Sequence, residues 1–334
     1  MQNKELVSII IPFYNIGGHV KKTIESIEGQ TYRDFEVIFV NDASTDNSVE
    51  IMEKLLKNVT FKYKIINRLK NGGPSPARNN GLSEALGKYI FFLDSDDIIA
   101  EDTFTKVMKS FRNDNPDLVF FKFKRVDING NVIQHYNDIF RDVKKNEKSR
   151  DILKKYINLE IFLYTCNVVY KKEIIEKIFF NENNETHYYV EDQDFIIRAL
   201  LNSNKVGYID LELVQYLQRA GSIMNSEFNL KRLNKIKIFD IFFNQYRTKD
   251  EELGRLFLKR RTREVLWVTK SYIKSRANQE TKNIKLYIRE NILTKEILSY
   301  LEWKYLRVLD IKNIFLGFLL KYFPCLFVKI MKLI

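Results

Sequence analysis

Cysteine is nearly absent from this 334-residue chain: Cys166 and Cys325 stand far apart, with no CxxC and no Cys/His cluster around them. That scarcity argues against a disulfide framework and a structural zinc, and for a reducing compartment. Histidine is equally sparse, and His19, His135 and His187 fit no ligand spacing. The glycine signatures of phosphate loops are missing too. No GxGxxG follows the first apolar run and no Walker A sequence occurs, which weakens the nicotinamide and P-loop readings. The opening MQNKELVSIIIPFYN has neither a basic leader nor a small-residue cleavage site, so a cytoplasmic protein is expected. Basic excess is lacking from the first two-thirds. Residues 228–334 carry 24 Lys and Arg against 10 Asp and Glu, so the whole-chain charge of +12 leaves −2 on residues 1–227.

With 45% hydrophobic residues the chain can fill a sizeable core. The runs at 6–15, 35–44, 63–68, 88–97 and 117–124 are continuous apolar or aromatic stretches without polar alternation. Such strands are covered on both faces, as in a parallel sheet. Between them lie segments with apolar residues at helical spacing, several opening on Ser, Thr or Asp as N-caps. Alternating strand and helix predicts a right-handed, doubly wound α/β sheet.

In such sheets ligands bind beyond the carboxyl ends of the strands, where the winding reverses. Strand one ends in Pro12, Tyr14 and Asn15; strand two ends in Asn41, Asp42, Ala43 and Ser44. Strand four runs straight into Asp94, Ser95, Asp96 and Asp97. Carboxylates at the mouth of a buried strand call for a positive partner, and a cation is the simplest. In NGGPSPARNNGL (71–82), Gly72 and Gly73 permit close approach, Pro74 and Pro76 stiffen a helix entry, and Arg78 is placed on the first turn. HYYVEDQDFIIRALL (187–201) reads as a helix with Glu191 and Asp192 on an exposed first turn.

Five pieces in this order, SIIIPFYN, QTYRDFEVIFVNDASTDNS, NGGPSPARNNGL, GKYIFFLDSDD and VEDQDF, resemble the family 2 glycosyltransferases of the GT-A fold. The resemblance covers about two-thirds of the chain, to near Asn225. It implies a metal-assisted, inverting transfer of a sugar from a UDP-sugar to an acceptor hydroxyl on a glycan or lipid-linked glycan. Pro12, Tyr14, Asn15, Asp42, Arg78, Asp94, Ser95 and Arg219 would then form the nucleotide- and donor-binding set. Asp42 would face the uracil ring, Asp96 would hold Mn²⁺ or Mg²⁺, and Asp192 would be the base, with Glu191 beside it. Asn41 and Ala43 depart from the family pattern, where many relatives have Asp and Gly. Arg219 replaces a His that some relatives use as an extra ligand. A sugar-phosphate nucleotidyltransferase and a non-catalytic protein of the same fold are the competing readings. The absent Gly-rich basic loop disfavours the first, and the intact Asp42, Asp96 and Asp192 disfavour the second.

We expect a GT-A domain over 1–227, with its donor part at about 1–125 and its acceptor part at about 126–227. A basic helical module should occupy 228–334. KRVDINGNVIQ (124–134) reads as a hairpin turning at Asn129 and Gly130. The +14 module mixes Lys and Arg with apolar stripes, which suits the anionic inner face of a membrane rather than nucleic acid. IFLGFLLKYFPCLFVKIMKLI (314–334), interrupted by Lys321 and Pro324, would lie in the interface rather than span it. The same stripe would equally serve packing on the first domain or on a second copy of the chain.

Overall fold

The computed structural model describes residues 5–182, 190–218 and 234–275, with Leu316, Leu319 and Tyr322. The chain forms two compact units, Met1–Glu182 with Glu191–Ser222, and Asn183–Val190 with Ile223–Ile334.

The first unit alternates as expected through β1 (Val7–Phe13), α1 (Val20–Glu28), β2 (Phe35–Asn41), α2 (Ser48–Leu56), β3 (Lys62–Asn67), α3 (Pro74–Glu84) and β4 (Tyr89–Phe92). It continues with β5 (Ile98–Ile99), α4 (Thr103–Asp114), β6 (Leu118–Val126), β7 (Val132–His135), β8 (Asn146–Lys148) and α5 (Ser149–Asn158). β9 (Val168–Lys171), α6 (Lys172–Ile175), α7 (Glu191–Leu201) and β10 (Lys205–Leu217) complete it. The sheet order is β3-β2-β1-β4-β9-β6-β10-β5, with β7 added on β6 and β8 on β10. β3, β2, β1, β4, β6 and β10 run the same way, so their carboxyl ends share one edge. β9 is the departure from the expected winding. This short strand lies antiparallel between β4 and β6, and shifts β6 and β10 one place from the nucleotide-type half of the sheet.

β1, β2 and β4 are buried along almost their whole length because helices cover both faces, whereas the outermost β3 stays largely exposed. Phe91, Phe92, Phe104, Phe120 and Phe121 are almost inaccessible, and burying each contributes about 1.5–3 kcal/mol. α3 packs on β1 and β2. A Cβ on Gly81 would come within 2.3 Å of Ile10 Cγ2, so glycine is what allows this close approach.

Among α1 to α4 the expected capping by the residue directly before each helix is not realised, although the Asp46 carboxylate accepts the N–H of Ser48 at the start of α2 at 3.0 Å. The residues before α1, α2, α3 and α4 are His19, Asn47, Gly73 and Asp102, and none makes a side-chain cap hydrogen bond. Asp102 pairs with Lys106 instead. The hairpin forms between β6 and β7 but closes through a wider loop. The Asp127 carboxylate accepts the backbone N–H of Asn129 and Asn131, while Gly130 takes a φ of 89°.

In the second unit α8 (Asn234–Tyr246) and α9 (Glu251–Ser275) pack as a pair through Phe242 and Phe257, whose rings stack at 5.0 Å. Part of the basic charge is used internally, since Arg260 pairs with Glu264 at 2.6 Å and Arg261 with Asp240 at 2.5 Å. Among the described residues no helix is long and apolar enough to cross a membrane. The expected interfacial stretch 314–334 lies outside the described residues, apart from three positions.

Candidate active site at the carboxyl edge of the sheet

At the β1 and β2 ends, two turns are stapled together. Asn15, in the left-handed region at φ 48°, donates to Thr45 Oγ1 at 3.1 Å and accepts the Thr45 N–H at 2.9 Å. Its main observed work is therefore structural. Pro12 is half-buried on β1, and Tyr14 is 44% exposed beyond it, leaving a ring face open to a ligand. Ala43 is also left-handed, at φ 58°, a geometry that glycine adopts without strain.

Asp42 is buried at 3% exposure. Its carboxylate accepts the N–H of Gly72 at 3.1 Å and of Gly73 at 2.6 Å, and pairs with Arg68 at the end of β3. Gly73, at φ 87°, opens α3 directly after this contact. A single carboxylate thus shapes the turn that the glycines and prolines announce. No local pattern in the sequence marks Arg68, because only the pairing of β2 with β3 brings it there.

The acidic cluster after β4 divides its side chains. Asp94, 36% exposed at the side chain, accepts a hydrogen bond from Arg78 Nη2 at 2.9 Å. Ser95 is buried, and its carbonyl accepts the Thr23 hydroxyl. Asp96 is half-buried. Asp97 turns inward, accepts the Leu217 N–H at 3.1 Å, and is pushed well above the usual carboxylate range by burial and by Asp94 and Asp96.

Arg78 lies on the second turn of α3, not the first, and is 5% exposed. It faces acids rather than the helix N-terminus. Besides Asp94 it reaches Glu191 Oε1 at 3.7 Å, and its guanidinium lies 5.3 Å from the Phe180 ring centre. Burial opposes its charge, but Asp94, Glu191 and Asp192 around it raise its pKa above the ordinary arginine value.

Glu191 and Asp192 open α7 as read, but they are half-buried rather than exposed. Burial and the adjacent Asp192 push the Glu191 carboxyl up to about 7, against the pull of Arg78. Asp192 Oδ1 accepts the N–H of Gln193 at 2.7 Å, while Asp194 is taken by Arg198. α7 is anchored by Phe195, which stacks on Phe180 at 4.0 Å with the planes 2° apart. Asn79, next to Arg78, clamps Phe180 by accepting its N–H at 2.8 Å and donating to its carbonyl at 2.9 Å. No local signal in the sequence marks Asn79 and Phe180 as partners, because they lie 101 residues apart. Arg219 and His187 lie outside the described residues.

The model of the glycosyl transferase family 2 matches residues 8–179. The chain belongs to that family. The glycosyltransferase GlyG of Streptococcus pneumoniae is 28% identical over 231 residues, covering 68% of this chain and 75% of GlyG. The poly(ribitol-phosphate) β-N-acetylglucosaminyltransferase TarS of Staphylococcus aureus is 26% identical over 226 residues, 66% of this chain and 37% of TarS. The crystal structure of TarS 1–349 with UDP-GlcNAc matches at a TM-score of 0.64 and 21% identity, over 94% of this chain and 90% of that one. The mannosyltransferase PcManGT of Pyrobaculum calidifontis, solved with GDP-Man and Mn²⁺, matches at a TM-score of 0.53 and 14% identity, over 95% and 87% of the two chains. At these identities the structural likenesses speak for the GT-A fold.

In this glycosyltransferase no group of three or more His, Cys, Asp or Glu side chains is placed to hold a metal ion among the described residues. The acids at the β4 end still fit a hard divalent cation. Mg²⁺ and similar ions take one or two carboxylates and complete their shell with water and phosphate oxygens. Within the cluster Asp94 is engaged by Arg78, Asp97 turns inward and Asp96 is half-buried.

Proposed function

We propose that this glycosyltransferase moves a sugar from a UDP-sugar to an acceptor hydroxyl with inversion, as a step in bacterial surface polysaccharide or related glycan synthesis. The observation that carries this reading is Arg78, a buried cation that joins the acid cluster at the end of β4 to the Glu191–Asp192 pair opening α7. A donor laid from Asp42 towards Asp96 would present its anomeric carbon to that pair. The open ring of Tyr14 and the Pro12 backbone would wall the base, and Asp42 would accept the uracil N–H once Arg68 yields part of its contact. The uridine donor is supported by the UDP-GlcNAc complex of TarS.

Asp192 takes the proton of the acceptor hydroxyl as its oxygen bonds to the anomeric carbon. The bond from that carbon to the diphosphate oxygen breaks on the opposite face, and UDP departs. Mg²⁺ or Mn²⁺ bound at Asp96 would offset the charge that develops on the leaving diphosphate. Asp94, Ser95 and Asn15 keep the strand ends in shape around it. The acceptor is proposed to be a glycan or lipid-linked glycan, with the basic C-terminal module resting on the inner membrane face through its +14 charge.

The decisive measurement is release of UDP from a panel of UDP-sugars in Mn²⁺, with and without EDTA, for the wild type and Asp96→Asn. Chelator-sensitive UDP release that Asp96→Asn nearly abolishes is expected. Pyrophosphate release from UTP and a sugar phosphate would replace this reading with a nucleotidyltransferase, and full activity in Asp96→Asn would remove the metal role.

A further inference from the structure

Two neighbouring residues of α3 reach towards α7, by different means. Arg78 does so by charge, at 3.7 Å from Glu191 Oε1. Asn79, buried at 7% exposure, does so through a chain of contacts. Its amide grips the main chain of Phe180 from both sides, accepting the N–H at 2.8 Å and donating to the carbonyl at 2.9 Å, and it also donates to Glu182 Oε1 at 2.8 Å. The Phe180 ring then lies flat on Phe195 of α7, 4.0 Å away. Phe195 also meets Phe92 of β4 at 5.5 Å and Tyr170 of β9 at 5.6 Å, with ring planes at 85° and 86°. Further along α7, Arg198 donates to the Phe179 carbonyl at 2.8 Å.

Two features give this chain of contacts a bearing on the reaction. The first is where it ends. Glu191 and Asp192 precede Phe195 by four and three positions, and residues at that spacing share one side of a helix. A Phe195 ring set among Phe92, Tyr170 and Phe180 therefore fixes the height and rotation of the acid pair. The second is where it begins. α3 is tied at its start to the β2 end, because Gly72 and Gly73 give their N–H groups to Asp42. One helix thus meets the carboxylate proposed to face the uracil at its start and the seat of α7 further along, so the separation of donor and base is set by α3. An attraction between charges has little direction, whereas the two opposed hydrogen bonds of Asn79 allow one placement of Phe180.

We propose that Asn79 is a positioning residue for the transfer: through Phe180 and Phe195 it sets where α7 stands on α3, and with it where Asp192 meets the acceptor hydroxyl. This inference rests on the assignment of Asp192 as the base above.

The test uses the full chain in Mn²⁺. Calorimetry follows UDP binding, and turnover is UDP release from whichever of UDP-Glc, UDP-Gal, UDP-GlcNAc and UDP-GalNAc the wild type hydrolyses fastest. Asn79→Ala is expected to leave UDP affinity within about twofold and to lower kcat by roughly 10- to 100-fold, the loss that a displacement of about 1 Å can cause. Phe195→Leu keeps an apolar side chain in the seat but not the flat face. It should show the same split, and it decides the matter if Asn79→Ala does not fold. Met108→Ala, a buried change on α4, is the control for stability alone. It should lower the melting temperature while kcat, measured well below that temperature, stays at the wild-type value. Wild-type kcat in either Asn79→Ala or Phe195→Leu, a fall in UDP affinity that matches the fall in kcat, or an equal loss of kcat in Met108→Ala would overturn the positioning role. Full activity in Asp192→Asn, run alongside, would instead overturn the base reading, and this inference with it.

Discussion

Replacing Arg78 by methionine removes a charge but keeps much of the side-chain volume, and the structure sets the size of the effect. The guanidinium is 2.9 Å from Asp94 and 3.7 Å from Glu191, whose side chains are 36% and 18% exposed. Stranding the partner of a buried ion pair costs roughly 3–5 kcal/mol. Because water screens Asp94, the low end applies, and Arg78→Met should lose about 3 kcal/mol near pH 8. The loss must also depend on pH. The Glu191 carboxyl titrates at about 7 in the fold against an ordinary 4.5, so its ionised form is the disfavoured one. Its contribution to stability is present at low pH and fades as pH rises from 4.5 through 7. Without Arg78 that pKa climbs further, and acidification recovers more stability in the variant than in the wild type. The penalty should therefore shrink to about 1–2 kcal/mol at about pH 5.5. Urea unfolding followed by far-UV circular dichroism is the suitable assay, since both tryptophans, Trp267 and Trp303, belong to the second unit. A penalty below about 0.5 kcal/mol, the size of an ordinary surface substitution, would refute the counter-ion role. So would equal penalties at the two pH values.

Three further outcomes are expected. Asp192→Asn should bind UDP with Mn²⁺ as the wild type does in calorimetry, while sugar transfer falls by roughly 10²- to 10⁴-fold; a parallel loss of UDP binding would move Asp192 into the donor pocket. Asp42→Ala leaves Gly72 N–H, Gly73 N–H and Arg68 without their shared acceptor, so it should destabilise the ligand-free protein by about 1–3 kcal/mol as well as weaken UDP binding. An unchanged unfolding curve would show that this turn does not depend on Asp42. Ala43→Gly relieves a left-handed alanine and should raise stability by about 1 kcal/mol in denaturant titration, and a loss would mean that the methyl group packs usefully.

Several parts of the site were legible because their signals are local. Asp42, the Asp94–Asp97 cluster and Glu191–Asp192 stand directly at the ends or starts of runs whose apolar pattern reveals strand or helix. What each carboxylate does was not legible. Asp96 and Asp97 are neighbours with the same chemistry, yet Asp97 turns inward because the Leu217 N–H, 120 residues on, meets it there. Its place at the start of a helix predicts an exposed Glu191; it is half-buried because α3 carries Arg78 up to it.

The sequence alone determined the alternation of strands and helices, the glycine-rich entry to α3 and the basic C-terminal third, all of which follow from residue type and period within a few turns of chain. Tertiary structure alone decided the antiparallel insertion of β9, the clamp of Asn79 on Phe180, and the meeting of Arg125 with Tyr216 across β6 and β10. A short apolar run pairs equally well with many neighbours. Its direction and partner are chosen only when the whole sheet closes over a shared core.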